Sequence, residues 1–131
     1  MAEAGGRQIV RVIRAAERVA PETAQSAGMI REEAISSEGL WIGVVKSAPG
    51  MASGWHHHGE HDTYVYVIWG GLRIEYGPGG REQAEAGAGD FLHIPQKTVH
   101  REASGGPEGA ESVVFRTGTG QLLFNVDGPE D

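Results

Sequence analysis

The sequence has no cysteine among its 131 residues. This absence excludes a disulfide framework and a thiolate metal site. It also means that cysteine usage gives no indication of the cellular compartment. A metal ion bound by this chain must therefore be held by imidazole nitrogens and by oxygens, which directs attention to the six histidines.

Positive charge and long apolar runs are also scarce. The net charge is -7, and only two of the eleven basic residues are lysine, which argues against binding to a nucleic-acid backbone. No stretch approaches the roughly 18 apolar residues of a membrane span, and no secretory leader is recognisable. We therefore expect a cytoplasmic protein that binds neither nucleic acid nor membrane. The excess of arginine over lysine, with abundant Ala and Gly, favours a GC-rich bacterial source.

Short apolar stretches alternate with glycine- and proline-rich turns along most of the chain. Turns spaced about 8 to 12 residues apart are typical of a small all-β barrel, and the length suits one domain over residues 1–131. Trp41 and Val44 are predicted to be core residues. The predicted strands are 29–35, 40–48, 53–58, 63–69, 72–76, 81–85, 91–94, 99–103, 112–117 and 121–126.

The two ends of the chain are predicted to lie outside the barrel core, which spans about residues 28–118. Residues 8–14 also suit an amphipathic helix, but their β-branched content favours a leader strand within residues 1–20. A strand edge without a partner tends to recruit another chain, so we expect a homodimer, with the leader exchanged between subunits as one form of it. Residues 127–131 are expected to fray.

Ligand-type side chains are concentrated just before the predicted strand 63–69. Six of them fall within seven positions: His56, His57, His58, Glu60, His61 and Asp62. Alternate side chains of a strand share a face, so His56 and His58 can converge, with their Cα atoms about 6 to 7 Å apart. Two such imidazoles would supply about half of the ligands of a metal site. His100, which follows the predicted strand 91–94 and Pro95, is the best distant ligand.

The spacing of these residues resembles the two sequence motifs of the cupin family. Gly50, His56, His58 and Gly70 match the first motif, and Gly89, Pro95 and His100 match the second. Lys97 stands where the second motif has glycine, and Ser104 where it has asparagine. The resemblance implies a jelly-roll barrel, also called a double-stranded β-helix, with a metal ion at its floor.

The carboxylate ligand of the first motif is the main departure. A four-residue spacing places it on Thr63, and a three-residue spacing places it on Asp62. Strand alternation puts His61 on the face of Thr63 and Asp62 on the other face, unless a bulge intervenes. Asp62 would give three imidazoles and one carboxylate, whereas His61 would give four imidazoles, and the sequence leaves both open.

Neutral imidazoles with at most one carboxylate suit Fe, Mn, Co, Ni, Cu or Zn, and they disfavour Mg and Ca. Three further side chains are candidates for catalytic proton transfer, namely His57, Glu60 and His93. His93, inside a predicted strand, is also readily explained as a hydrogen-bonded structural histidine.

Two functions fit the predicted barrel. The first is a metal-dependent enzyme acting on a small organic metabolite, as an oxygenase or as a redox-neutral cyclase, isomerase or lyase. The alternative is a non-catalytic module that binds or senses a small molecule or metal. In both, aromatic side chains of the barrel strands are candidates for the ligand cavity: Tyr64, Tyr66, Trp69 and Phe91.

Overall fold

The alternating pattern produces a chain that is almost entirely β-structure. The computed structural model describes residues 7–22 and 25–130. Within these ranges there is no α-helix, and no helix is long and apolar enough to cross a membrane. Single 3₁₀ turns occur at Ala15–Glu17 and Pro78–Gly80. The strands are β1 (Met29–Ser37), β2 (Leu40–Ser47), β3 (His56–His57), β4 (Glu60–Tyr76), β5 (Glu82–Gly87), β6 (Phe91–Ile94), β7 (His100–Ser104), β8 (Ala110–Thr119) and β9 (Phe124–Asn125).

All of these strands pair antiparallel in one curled sheet. The order across the sheet is β1-β2-β8-β4-β7-β3-β9, and β5 and β6 each pair with β4. The first part of β4 pairs with β8 and β6, while its second part pairs with β7 and β5. Strand β4 therefore passes from one wall of the barrel to the other, and the predicted all-β jelly-roll class is confirmed.

Strand β4 corrects the prediction of two strands separated by a turn at Gly70 and Gly71. The register shifts between Val67 and Trp69, which marks a β-bulge, and pairing then continues. Gly70 has a φ of 80°, and a Cβ there would collide with the carbonyl oxygen of Gly109. Glycine therefore bends the strand without ending it.

The bulge also reverses the inward face of β4. The buried positions are His61, Thr63, Val65 and Val67 before it, and Leu72 and Ile74 after it. Trp41 and Val44 are buried, as predicted. The aromatic side chains proposed to line the cavity instead lie on the outside: Tyr64, Tyr66 and Trp69 alternate with this inward set on β4, and Phe91 is exposed on β6. Tyr64 is 40% exposed and Phe91 is 74% exposed.

The leader strand predicted at residues 8–14 is absent from the single chain, and its form exchanged between subunits stays a prediction. These residues form no strand, and the apolar side chains of Ile9, Val10 and Val12 are exposed. The reason is the lack of a partner, since the first backbone pairing with β1 comes only at Val19, whose N–H donates to the Glu33 carbonyl at 3.0 Å. Residues 1–6 of the predicted leader lie outside the described residues.

At the other end, the predicted last strand is present but short, as β9. The tail that follows it, for which fraying was predicted, forms no strand. The carbonyl oxygen of Glu130 nevertheless accepts a hydrogen bond from the Gly79 N–H at 3.2 Å. Residue 131 lies outside the described part of the chain.

Candidate metal centre

Three histidines meet inside the barrel where β3 lies beside β7. His56 and His100 face each other directly in the antiparallel pairing of these strands. His58 follows β3, just before the turn at Gly59, whose φ is 59°. All three side chains are buried, and one ligand atom from each lies within 4.8 Å of the other two. The sequence prediction that His56, His58 and His100 converge matches this arrangement.

Backbone carbonyls fix the orientation of the three rings. Each ring donates from Nδ1 to a main-chain oxygen: His56 to Gly54 at 2.9 Å, His58 to Leu122 at 2.9 Å and His100 to Thr98 at 2.8 Å. A carbonyl oxygen only accepts hydrogen bonds, so the ring proton must lie on Nδ1 when the imidazole is neutral. The Nε2 lone pair is then free to bind a metal, which is the arrangement that supports metal-ligating histidines in proteins.

The environment favours a neutral ring at His58 and leaves one nitrogen of the cluster without a partner. Burial, reinforced by the charge of Arg116, holds the pKa of His58 well below its usual range. Nε2 of His100 is buried and has no hydrogen-bond partner. A buried nitrogen in this state is costly unless something binds it. Three buried imidazoles whose Nδ1 atoms are held by backbone carbonyls direct their Nε2 atoms toward one another, and this donor set fits a divalent transition metal ion.

A buried carboxylate that the sequence prediction missed lies beside two of the three imidazoles. Oε2 of Glu102 lies 3.1 Å from Nε2 of His56 and 3.7 Å from Nε2 of His100. Glu102 is two residues after His100 on β7, so strand alternation places both side chains on one face. Alternation along the strand that contains His100 was the available signal for Glu102, whereas the sequence prediction used alternation only for the residues from His56 to Thr63.

Hydrogen bonds hold the backbone of Glu102 in place. Its N–H donates to the hydroxyl of Ser53 at 2.9 Å, and its carbonyl oxygen accepts from the Ser53 N–H at 2.8 Å. Burial by itself raises the pKa of this carboxyl, but the hydrogen bonds and charges of His100 and His56 outweigh burial and hold the pKa well below its usual range. Glu102 is thus ionised beside the imidazoles.

Thr63 occupies the position where the four-residue motif spacing would place a carboxylate. It is fully buried, and its hydroxyl has no hydrogen-bond partner. Thr63, Glu102 and His58 line the same small space inside the barrel, whose volume is only about 10 Å³. The carboxylate that faces this space therefore comes from β7, and a small side chain stands at the motif position on β4.

The structure does not bring His61 or Asp62 into the cluster. His61 faces inward, as alternation predicted, but its Nδ1 donates to the His58 carbonyl at 2.9 Å and its ring borders a separate cavity of about 290 Å³. Asp62 faces outward, where its carboxylate is 3.0 Å from Nε2 of His93. The hydrogen bond from His93 lowers the pKa of Asp62.

Comparison with known proteins places this architecture in a family. The family model of the cupin domain matches residues 43–116, which is more than half of the chain. This chain belongs to the cupin family. Among curated protein sequences, none matches it.

Solved structures show the same fold at low sequence identity. A protein with a double-stranded β-helix domain from Klebsiella pneumoniae is 21% identical, with a TM-score of 0.69 over 90% of the cupin and 98% of that chain. The polyketide cyclase RemF from Streptomyces resistomycificus is 16% identical, with a TM-score of 0.73 over 90% and 86%. The oxalate decarboxylase of Bacillus subtilis, which has Mn(II) centres, is 20% identical, with a TM-score of 0.67 over 81% of the cupin and 30% of that chain.

The three candidates for proton transfer lie away from the imidazoles of this cupin. His57 points from the opposite face of β3 and stacks on Phe124, with a ring-centroid distance of 4.8 Å. Glu60 is exposed, with a carboxylate oxygen 3.8 Å from Nζ of Lys97. His93 is half exposed and stacks on Tyr64 while it pairs with Asp62. The structural interpretation of His93 agrees with these contacts.

His58 belongs both to the imidazole cluster and to the wall of a second cavity. The ring of His58 also borders a cavity of about 230 Å³ that contains two buried arginines, Arg31 and Arg116. A larger groove of about 430 Å³ near Gly70 and Gly105 has no histidine in its walls. The arrangement can therefore hold a metal ion on one side of His58 and a small molecule on the other.

Proposed function

We propose that this cupin is a metal-dependent enzyme that acts on a small organic molecule. One observation carries the proposal. Three buried imidazoles converge from separate parts of the barrel, and a backbone carbonyl on each Nδ1 leaves its Nε2 available. The absence of cysteine and the predominance of imidazole donors in the cluster favour Fe, Mn, Co, Ni, Cu or Zn.

His56, His58 and His100 would hold the ion, and we propose Glu102 as the fourth ligand in place of His61 or Asp62. Two donors bound to one ion at about 2.1 Å lie roughly 3.0 to 3.4 Å apart. The separation of 3.1 Å between Nε2 of His56 and Oε2 of Glu102 falls in this range. A bound ion of this kind polarises a carbonyl or enolate oxygen, or lowers the pKa of a bound water molecule.

Two reaction classes remain for the enzyme: oxygenation, and redox-neutral cyclisation, isomerisation or lysis. The polyketide cyclase RemF shares the fold at 16% identity, and likeness of fold does not choose between the two classes. Activity with Zn²⁺ equal to that with Fe²⁺ would assign the redox-neutral class. A requirement for Fe²⁺ and O₂ would assign oxygenation.

Metal content provides the test of the proposal. Protein purified without an affinity tag should contain one equivalent of transition metal by elemental analysis, and the triple variant His56→Ala, His58→Ala, His100→Ala should contain almost none. His93→Ala is the matched control, because it removes an exposed imidazole outside the cluster and should keep full occupancy. Equal metal content in the wild type and the triple variant would reject the proposal. Ligand binding that persists unchanged in metal-free protein would favour the non-catalytic binding module.

We also propose that the cupin assembles as a homodimer. The apolar side chains of Ile9 and Val10 are 71% and 93% exposed, and residues 8–14 have no strand partner in their own chain. Apolar side chains exposed in this density favour contact with another surface. A second copy of the chain offers the same leader and the same edge at β1.

A further inference from the structure

The cavity beside His58 is built differently from the rest of the barrel interior. It has a volume of about 230 Å³ and lies between β1, β2, β8 and the segment before β9. Its polar walls are Arg31, Glu33, Arg116 and His58, and its apolar walls are Pro21, Trp41, Leu122 and Leu123. This volume gives room for roughly eight water-sized groups.

The two arginines in these walls are buried and incompletely hydrogen-bonded. Arg31 is 3% exposed and Arg116 is 4% exposed. Nη1 of Arg31 donates to the Ser26 hydroxyl at 3.0 Å, but its Nε and Nη2 have no partner, and Nε of Arg116 has none. The guanidinium of Arg116 lies over the ring of Trp41, 5.1 Å from the ring centroid. Three buried donors thus remain without an acceptor.

No carboxylate neutralises these guanidinium groups directly. Among the described residues, neither Arg31 nor Arg116 forms an ion pair. Glu33 accepts a hydrogen bond from Nε1 of Trp41 at 2.9 Å, and Glu102 is directed at the imidazoles.

Both guanidinium groups nevertheless remain charged. Burial lowers the pKa of Arg116 to about 9, with a contribution from Arg31, while the charge of Glu102 acts in the opposite direction. At neutral pH Arg116 is still protonated. The cavity therefore holds two positive charges and unpartnered N–H donors, a combination that burial makes costly unless an anion binds.

We propose that Arg31 and Arg116 bind the carboxylate of a small organic acid, which occupies this cavity beside the metal centre. The substrate class rests on the proposed function, because the acid is the molecule presented to the ion at His58. Arginine suits this role because its planar fork matches two carboxylate oxygens. The face of Trp41 and the two leucines supply an apolar wall for the rest of the molecule.

Calorimetric titration tests the assignment with defined probes. Acetate, pyruvate and benzoate are each compared with the neutral amide of the same shape, namely acetamide, pyruvamide and benzamide. At least one carboxylate should bind ten times more tightly than its amide, in metal-loaded protein. Equal affinity within all three pairs would overturn the proposal. Inorganic phosphate that binds more tightly than every carboxylate would overturn the assignment to an organic acid.

Substitutions locate the binding site. Arg31→Gln and Arg116→Gln should each weaken the best carboxylate at least tenfold, while affinity for the matching amide stays within twofold. Arg31→Lys and Arg116→Lys keep the charge without the planar fork and should give an intermediate loss of carboxylate affinity. These lysine variants provide the test if a glutamine variant fails to fold. Arg73→Gln, which alters a surface arginine paired with Glu75, is the control and should leave the affinity unchanged. Unchanged carboxylate affinity in the folded arginine variants would reject the site.

Metal content separates this inference from the proposed function. Each variant is analysed for bound metal, and the titration is repeated on metal-free wild-type protein whose fold is verified by circular dichroism. Carboxylate selectivity without any metal binding would sustain the arginine site and defeat the metal-dependent function. Normal metal loading without carboxylate selectivity would sustain the metal-dependent function and reject the arginine site.

Discussion

Nε2 of His56 and Oε2 of Glu102 are 3.1 Å apart in the interior of the barrel. Because Nδ1 of His56 donates to the Gly54 carbonyl, a neutral ring presents only a lone pair to the carboxylate. Two acceptors at hydrogen-bond distance repel each other unless a cation lies between them. A proton on the imidazole or a metal ion can be that cation. The proximity of His100 and His58 makes a metal ion the more consistent choice.

Substitution of the carboxylate therefore tests the ligand assignment. Glu102→Gln keeps the size of the side chain but removes its charge, so we expect metal affinity to fall by at least the roughly 10- to 100-fold that loss of a supporting contact causes. Competition with a chelator of known affinity measures this change. The EPR spectrum of a Mn²⁺-loaded or Co²⁺-loaded sample should also change, because the donor set is different.

The two ligands predicted from the sequence provide the controls for this substitution. Asp62→Asn and His61→Gln should leave metal affinity within about twofold of the wild type, since Nδ1 of His61 is hydrogen-bonded to the His58 carbonyl and Asp62 faces outward toward His93. A large loss of metal affinity in either variant, together with unchanged affinity in Glu102→Gln, would show that the fourth metal ligand is His61 or Asp62, as predicted from the sequence.

Sequence spacing was sufficient to find the three imidazoles because two rules agreed on them. Strand alternation joined His56 with His58, and motif spacing added His100 from a strand distant in the chain. The position of Glu102 could not follow from motif spacing, because the carboxylate lies on a different strand from the one the motif assigns. The packing of β7 against β4 across the barrel is a tertiary property. A threonine at position 63 does not indicate that the carboxylate is supplied by β7.

The arginine pair illustrates a second limit. Arg31 and Arg116 lie on the inward faces of β1 and β8, among residues such as Met29 and Val114 that alternation also turns inward. A basic residue at such a position is readily attributed to the exposed end of a strand. Only the curl of the sheet, which brings β1 and β8 around one cavity, makes both side chains buried neighbours.

The bend in β4 predicts unequal costs for two glycine substitutions. Gly70 and Gly50 have φ values of 80° and 67°, so alanine at either position meets left-handed strain of about 1 to 2 kcal/mol. At Gly70 the new Cβ also meets the Gly109 backbone, whereas at Gly50 it meets nothing within 4 Å. Chemical denaturation should show Gly70→Ala destabilised by more than about 3 kcal/mol and Gly50→Ala by less than about 2 kcal/mol. Similar losses at both positions would contradict the steric argument.

A carboxylate on the barrel surface predicts a stability change in acid. The hydrogen bond from Arg101, at 2.6 Å, and the neighbouring Arg73 lower the pKa of Glu75. A folded-state pKa below the unfolded value of about 4.3 contributes stability above that value, and the contribution disappears as pH falls through the folded pKa. The arginines are 43% and 36% exposed, so the contribution should stay below about 1 kcal/mol.

Glu75→Gln should therefore be less stable than the wild type at pH 7, and the difference should vanish in strong acid. Urea denaturation at a series of pH values measures it. The same series on Glu85→Gln provides the comparison, because Glu85 is exposed and forms no ion pair among the described residues. A difference between wild type and Glu75→Gln that grows as pH falls would show that the sign is wrong.

The exposed leader predicts a subunit association that depends on the first residues of the chain. Because Ile9, Val10 and Val12 have no cover in their own chain, deletion of residues 1–13 should remove the apolar surface that a second copy contacts. Light scattering at micromolar concentration should then give a dimer mass for the full chain and a monomer mass for the truncated one. Replacement of these three side chains by serine in the full-length chain should also yield monomer, since it removes the apolar contact without shortening the backbone. A monomer mass for the full-length chain would reject the dimer. A dimer that survives both changes would place the subunit contact elsewhere on the barrel.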